Sequence, residues 1–216
     1  MRRILLALAL SLPLVAIAAS DNISKISDDI HVGAGQQAGH LDTVSGDIDV
    51  GDRATVGNAS TVSGSITLGS QAQARKLGTV SGDIQLDRGA IVAGNAQSVS
   101  GSIHLAQGAQ VQGHLSNVSD AITLDDAHVA NGIETVAGDI TVGTGSRVEG
   151  GILVDRPNNG GIHFGNRHKP VIVIGPRAVV QGTLEFRQPV VLKVSDSAQI
   201  GTVTGATVEK FSGAAP

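Results

Sequence analysis

Apolar residues in this chain fall in pairs two positions apart, and the pairs recur about every six residues. In residues 44–61 the apolar positions are Val44, Ile48, Val50, Ala54 and Val56, and Val62 opens the next copy. Pairs such as Ile48/Val50 and Ala54/Val56 carry the alternation of a strand with one buried face. Gly, Asp, Asn and Ser fill the intervals, so the block reads as three short strands joined by tight corners. A helix would need apolar spacings of three and four, and the glycine load would weaken it.

The block itself repeats. The motif Val-Ser-Gly-Asp-Ile, intact or degenerate, begins at Ile26, Val44, Val62, Val80, Val99, Val118 and Val136, in steps of 18, 18, 18, 19, 19 and 18 residues. A period near 20 residues is the signature of a solenoid. The expected fold class is all-β, a single-stranded parallel β-helix with coils of about 18 residues. Stacking the coils aligns three apolar columns. One is Ile30, Ile48, Ile66, Ile84, Ile103, Ile122 and Ile140; the second is Val32, Val50, Leu68, Leu86, Leu105, Leu124 and Val142. The third, Ala54, Ala72, Ala90, Ala109 and Ala127, suits a narrow interior. Beside the glycine corner an outward column reads Asp29, Asp47, Ser65, Asp83, Ser102, Ala121 and Asp139. From Asp47 onward no two carboxylates are neighbours in it, as repulsion across a ladder would favour.

The pattern weakens through Val148, Ile152 and Val154 and breaks at residues 155–170, a polar stretch rich in Pro and Gly. It returns at Val171–Ile174 and continues through Ala178/Val180, Leu184/Phe186, Val190/Leu192/Val194, Ala198/Ile200 and Val203. The reading is one β-helix domain over residues 20–212 with an inserted loop at 155–170, and a disordered tail at 213–216. About ten coils at roughly 4.8 Å would make a rod of about 50 Å.

Composition adds a compartment and removes several partners. Arg2 and Arg3, the apolar run Ile4–Ile17 and the small-x-small triplet Ala16-Ile17-Ala18 predict a signal peptide over residues 1–19. The expected destination is the periplasm, with the cell surface or medium as alternatives. Nothing later is apolar for long enough to span a bilayer. Without Arg2 and Arg3, 13 of the 15 basic residues remain against 19 acidic ones, a net charge of −6. That balance argues against nucleic acid and anionic membrane as partners. The chain has no Cys, Trp or Tyr, and its aromatic residues are Phe164, Phe186 and Phe211. Residues 21–160 thus lack the aromatic faces on which sugar clefts and interaction hot spots rely.

Several segments resemble bactofilins, the bacterial polymer-forming β-helix proteins. The residues concerned are Ala54, Val56, Gly57 and Asn58; Ala109, Val111 and Gly113; and Ile174-Gly175-Pro176 with Ala178, Val180, Gly182 and Leu184. The Val-Ser-Gly-Asp-Ile copies are similar to the adhesin-like β-strand repeats of exported bacterial proteins. Together the resemblance spans about residues 26–208. It implies a polymer-forming β-helix and brings no catalytic residues with it. The six-residue sub-period is also similar to that of the left-handed hexapeptide acyltransferases. Parallel crossovers are overwhelmingly right-handed, which makes a right-handed coil the default expectation.

For chemistry, the inserted loop is the candidate. It gathers Arg156, Asn158, Asn159, His163, Arg167, His168 and Lys169 on an otherwise regular rod, and loops on rigid scaffolds carry function. Its basic residues suit an acidic partner or polymer; the plainer alternative is a solvated connection. His163 and His168 stand five apart with no Cys or Glu to complete a metal site. Ser45, Ser63, Ser81, Ser100 and Ser119 form a corner column with no Ser-His-Asp arrangement. The adjacent acids Asp125 and Asp126 point to opposite sides of a strand. No catalytic residue, cofactor or metal is therefore expected. The chain reads as a non-enzymatic exported scaffold that self-associates through its end coils. An adhesin-like or envelope-polymer-binding module acting through the loop is second, and a hexapeptide-type or polysaccharide-active enzyme third.

Overall fold

The structure, a computed structural model, describes residues 21–157 and 169–216. It is a parallel β-solenoid of about ten coils, each of roughly 18 residues. The expected signal peptide lies outside the described residues, as does most of the inserted loop.

Each coil has three faces. The first is a ten-stranded parallel sheet running from Ile30–Val32, Ile48–Val50 and Ile66–Leu68 to Val191–Ser195 and Val208–Phe211. Its register sets Ile48 on Ile66, Ile66 on Ile84 and Ile84 on Ile103, so the isoleucine column read from the sequence stacks as one ladder. The other two faces belong to a 16-stranded sheet. They are continuous through the nine-residue strands Thr55–Ser63 and Gln73–Ser81, which run round a corner. Beyond Ser81 the corner interrupts the strand, and each coil supplies two pieces, such as Ile91–Val92 and Ala96–Ser100.

Two side chains per face point inward. In one coil these are Ile48 and Val50, Ala54 and Val56, then Ala59 and Thr61, all buried. The three columns expected from the sequence are all core. Between the first and second faces the chain turns tightly, with a hydrogen bond from Ala54 N to Gly51 O of 3.1 Å. The third residue of this turn must take positive φ. Gly35, Arg53, Gln71, Gly89, Gly108, Asp126, Gly145 and Arg177 do so at successive coils, with φ between 47° and 77°.

The third face departs from the hydropathy pattern. Its inward positions are Leu41 and Thr43, Ala59 and Thr61, Leu77 and Thr79, and Ala96 and Ser98. The following Val44, Val62, Val80 and Val99 then point outward, because successive strand residues face opposite sides. Counting these valines simply as apolar positions gives no hint of this. Five of the column, Val44 to Val118, are 39–49% exposed, and Ile26 is 75% exposed.

Candidate functional site

The Val-Ser-Gly-Asp corner follows the third face, and its chemistry explains the inversion. The inward Thr61 hydroxyl donates to Gly46 O of the preceding coil at 3.1 Å, and Thr79 donates to Gly64 O at 2.9 Å. Ser98 does the same to Gly82 O at 3.2 Å. A buried carbonyl without a donor costs about 1–3 kcal/mol, so a hydroxyl inside is worth more here than a methyl. The glycine of each corner sits against the previous one. A Cβ on Gly64, Gly82 or Gly101 would come within 3.0 Å of the carbonyl of Gly46, Gly64 or Gly82.

One coil breaks both rules together. Asn117 replaces the inward Thr and Asp120 the glycine. The Asn117 amide donates to Gly101 O at 2.7 Å and to Asp120 O at 3.0 Å, while its Oδ1 accepts from Ser119 N at 2.8 Å.

The aspartates after the glycine are cross-coil caps. Asp29 Oδ1 accepts from Asp47 N at 2.9 Å, Asp47 Oδ1 from Ser65 N at 2.7 Å and Asp83 Oδ1 from Ser102 N at 2.7 Å. Alternation of Asp with Ser, read from the sequence as spacing of like charge, thus also carries a hydrogen-bond role. Ser65 takes the same part, its Oγ accepting from Asp83 N at 3.3 Å.

Outside, the corner leaves a straight ladder of β-branched side chains from Ile26 to Val136. Ser45, Ser63, Ser81, Ser100 and Ser119 flank it on one side, and Ser60, Gly78, Gln97 and Ser116 on the other, the second column ending in the charged Asp42 and Glu134. A shallow open groove of about 290 Å³ runs along it past Gln97, Val99, Val118, Glu134 and Val136.

The ladder ends where the loop is inserted. By register Val154 takes the inward place of Thr135, and Phe186 follows it. Asp155 and Arg187 therefore stand where the outward valines would continue. Arg187 pairs with Glu185 Oε1 at 2.7 Å and Asp155 Oδ1 at 3.4 Å. A hydrogen bond from the Arg156 backbone, then Arg187, holds the Asp155 carboxyl below its usual pKa. The hydrogen bonds that Arg187 donates to Glu185 and then to Asp155 raise its own pKa. Arg156 Nε donates to Arg187 O, and Gln188 Nε2 donates to Asp155 O at 2.8 Å and to Val136 O. These contacts pin the root of the loop to the end of the valine ladder.

Of the expected loop residues, Arg156 and Lys169 are exposed at its two ends. Asn158, Asn159, His163, Arg167 and His168 lie outside the described residues. Asp155, Arg187 and Gln188 were not foreseen, since their contacts join coils about 30 residues apart. His31 and His104 lie in one outward column with three coils of other residues between them, and His104 lies 3.7 Å from Asp125. Among the described residues no group of three or more His, Asp or Glu could hold a metal ion, and no helix is long and apolar enough to cross a membrane. Comparison with family models, curated proteins and solved structures returned no match for the chain.

Proposed function

We propose that this chain is a non-enzymatic, exported scaffold of the cell envelope that associates end to end, in the manner its resemblance to bactofilins implies. The observation that supports this reading is the state of the two ends. Among the described residues, Ile30–Val32 pairs only with Ile48–Val50, and Val208–Phe211 pairs only with Val191–Ser195. The core side chains Ala198, Ile200, Val203 and Val208 of the last coil are only partly buried. Open strand edges recruit further strands, and head-to-tail contact between unlike ends builds an open filament where the rotation between copies does not close into a ring. Sedimentation velocity with negative-stain microscopy of residues 20–216 tests the reading. Growth into filaments with concentration is expected; a monomer at every concentration would contradict it.

A second reading, an adhesin-like or polymer-binding module, is favoured by the exposure of Arg156 and Lys169 at the two ends of the loop, Arg156 being bonded to Arg187. Replacing Arg156, Arg167 and Lys169 together by Ser should then abolish recovery of an acidic envelope polymer. Unchanged recovery would remove the loop from consideration.

A further inference from the structure

The corner between the second and third faces carries a ladder of its own. Asn22, His40, Asn58, Lys76, Asn95 and His114 follow one another along it, coil by coil. Three of these side chains cap the next coil. Asn22 Oδ1 accepts from His40 N at 2.7 Å, His40 Nδ1 from Asn58 N at 3.2 Å and Asn95 Oδ1 from His114 N at 3.0 Å. Asparagine suffices for that cap, so the second ring nitrogen of His40 is surplus to it. That nitrogen, Nε2, faces Arg75 Nη2 at 3.3 Å. We propose that His40 and Arg75 form a binding site for an oxyanion, a carboxylate or phosphate group borne on a small polar ligand.

A neutral imidazole has one lone pair on its ring nitrogens, and a guanidinium has none. The backbone N–H of Asn58 takes the His40 lone pair at Nδ1, which places the ring proton on Nε2. Nε2–H and Arg75 Nη2–H are then two donors turned on each other. Protonating the ring at Nδ1 resolves nothing, since that N–H would oppose the N–H of Asn58. One acceptor oxygen about 2.8 Å from each nitrogen meets both donors, and an anionic oxygen also answers the charge of the guanidinium. Arg75 is itself held in place, its Nε donating to Asn58 Oδ1 at 3.0 Å. Among the described residues no carboxylate pairs with it, although acids outnumber bases in the chain 19 to 15.

The surroundings fit an anion. A groove of about 370 Å³ opens at the pair, with Asn22, Gln37 and Thr55 also along it. Gly39 and Gly57 precede Arg75 in its own column and put no side chain into the space. Asp21, Asp42 and Asp52 stand within three residues of the groove along the chain, yet none lines it. Asp42 accepts from Ser60 Oγ and Asp52 from Ser70 N. Lys76 lines the neighbouring groove with Asn58 and adds positive charge without entering the site. The volume is at the small end of the range for ligand pockets, about 300–1,000 Å³. No aromatic ring lines the groove, so the ligand is held by charge and hydrogen bonds and not by stacking. Arg75 is exposed, which sets the affinity in the millimolar range. The site does not rest on end-to-end association.

Saturation-transfer NMR on residues 20–216 reads binding whether the protein is monomeric or filamentous. Glucuronate supplies the carboxylate, glycerol phosphate the phosphate, and glucose the neutral control, all at one ionic strength. Transfer to either anion and none to glucose is expected, and the stronger of the two names the source of the oxyanion. Arg75→Gln and His40→Asn should each weaken binding about tenfold or more. The melting temperature should stay unchanged, because an asparagine at position 40 keeps the corner cap. Arg88→Gln removes the same charge from an exposed arginine outside the groove and should leave binding as it was. No transfer to either anion, or equal transfer to glucose, would overturn the site. So would a loss at Arg88→Gln as large as at Arg75→Gln, or an affinity indifferent to His40→Asn. Ring-nitrogen NMR spectra placing the His40 proton on Nδ1 would contradict the facing donors on which the site is built.

Discussion

The coils before and after the inserted loop solve the same corner in opposite ways. From Thr43 to Thr135 the side chain entering the core beside the corner is polar and the next one, outside, is aliphatic. After the loop begins, Val154 and Phe186 enter the core and Asp155 and Arg187 face out. The later coils follow the ordinary hydrophobic rule. From Thr43 to Asn117 the earlier ones give up an apolar core position because a corner carbonyl of the coil below needs a donor, and a Thr, Ser or Asn side chain supplies it; at Thr135 the hydroxyl instead accepts from Gly138 N at 3.0 Å. Burial of an apolar group and satisfaction of a buried polar one compete at one position, and the geometry of the corner decides the winner.

The largest effect should come from the part both regions share. Ile103→Asp buries an unpaired carboxylate in a ladder where Ile103 is fully buried, and should cost more than about 4 kcal/mol. Since each coil is held only by its neighbours, the middle of the rod should melt first, read as loss of protection from hydrogen exchange around residues 84–122. Next is the corner glycine. Gly82→Ala pushes a methyl into Gly64 O and should cost about 1–3 kcal/mol in chemical denaturation. The inversion itself comes third. Thr79→Val, although it makes the core more apolar, should destabilise by about 1–3 kcal/mol, whereas Val80→Thr should change stability by less than about 0.5 kcal/mol. Equal effects, or the reverse order, would return the early coils to the ordinary rule. The smallest effect belongs to the loop root. The Asp155 carboxyl is held below its usual pKa, so its contribution is present above the ordinary carboxylate range and is lost as pH falls through its lowered value. Asp155→Asn should flatten that acid limb of the melting temperature slightly, and an unaltered limb would show that Arg187 holds the loop without it.

The ladder of the first face was legible because Ile48 and Val50 lie two apart and both repeat with the coil. The outward valines were harder. Hydropathy counts Val62 with the core and Thr61 with the surface, and only parity with the preceding apolar residue corrects it: Leu41 with Thr43, Ala59 with Thr61 and Leu77 with Thr79 must share a side. The candidate loop was visible as a break in period at residue 155, but its anchors were not. Arg187 and Gln188 meet Asp155 only because the solenoid brings residues 32 and 33 positions apart into register.

Which of two adjacent residues faces the core is read directly by thiol labelling of Thr79→Cys and Val80→Cys in dilute native protein. With no other cysteine in the chain, the label reports one position at a time. The structure predicts rapid labelling at position 80 and protection at position 79 until the rod unfolds. Protection at 80 with rapid labelling at 79 would contradict the inversion and, with it, the outward ladder.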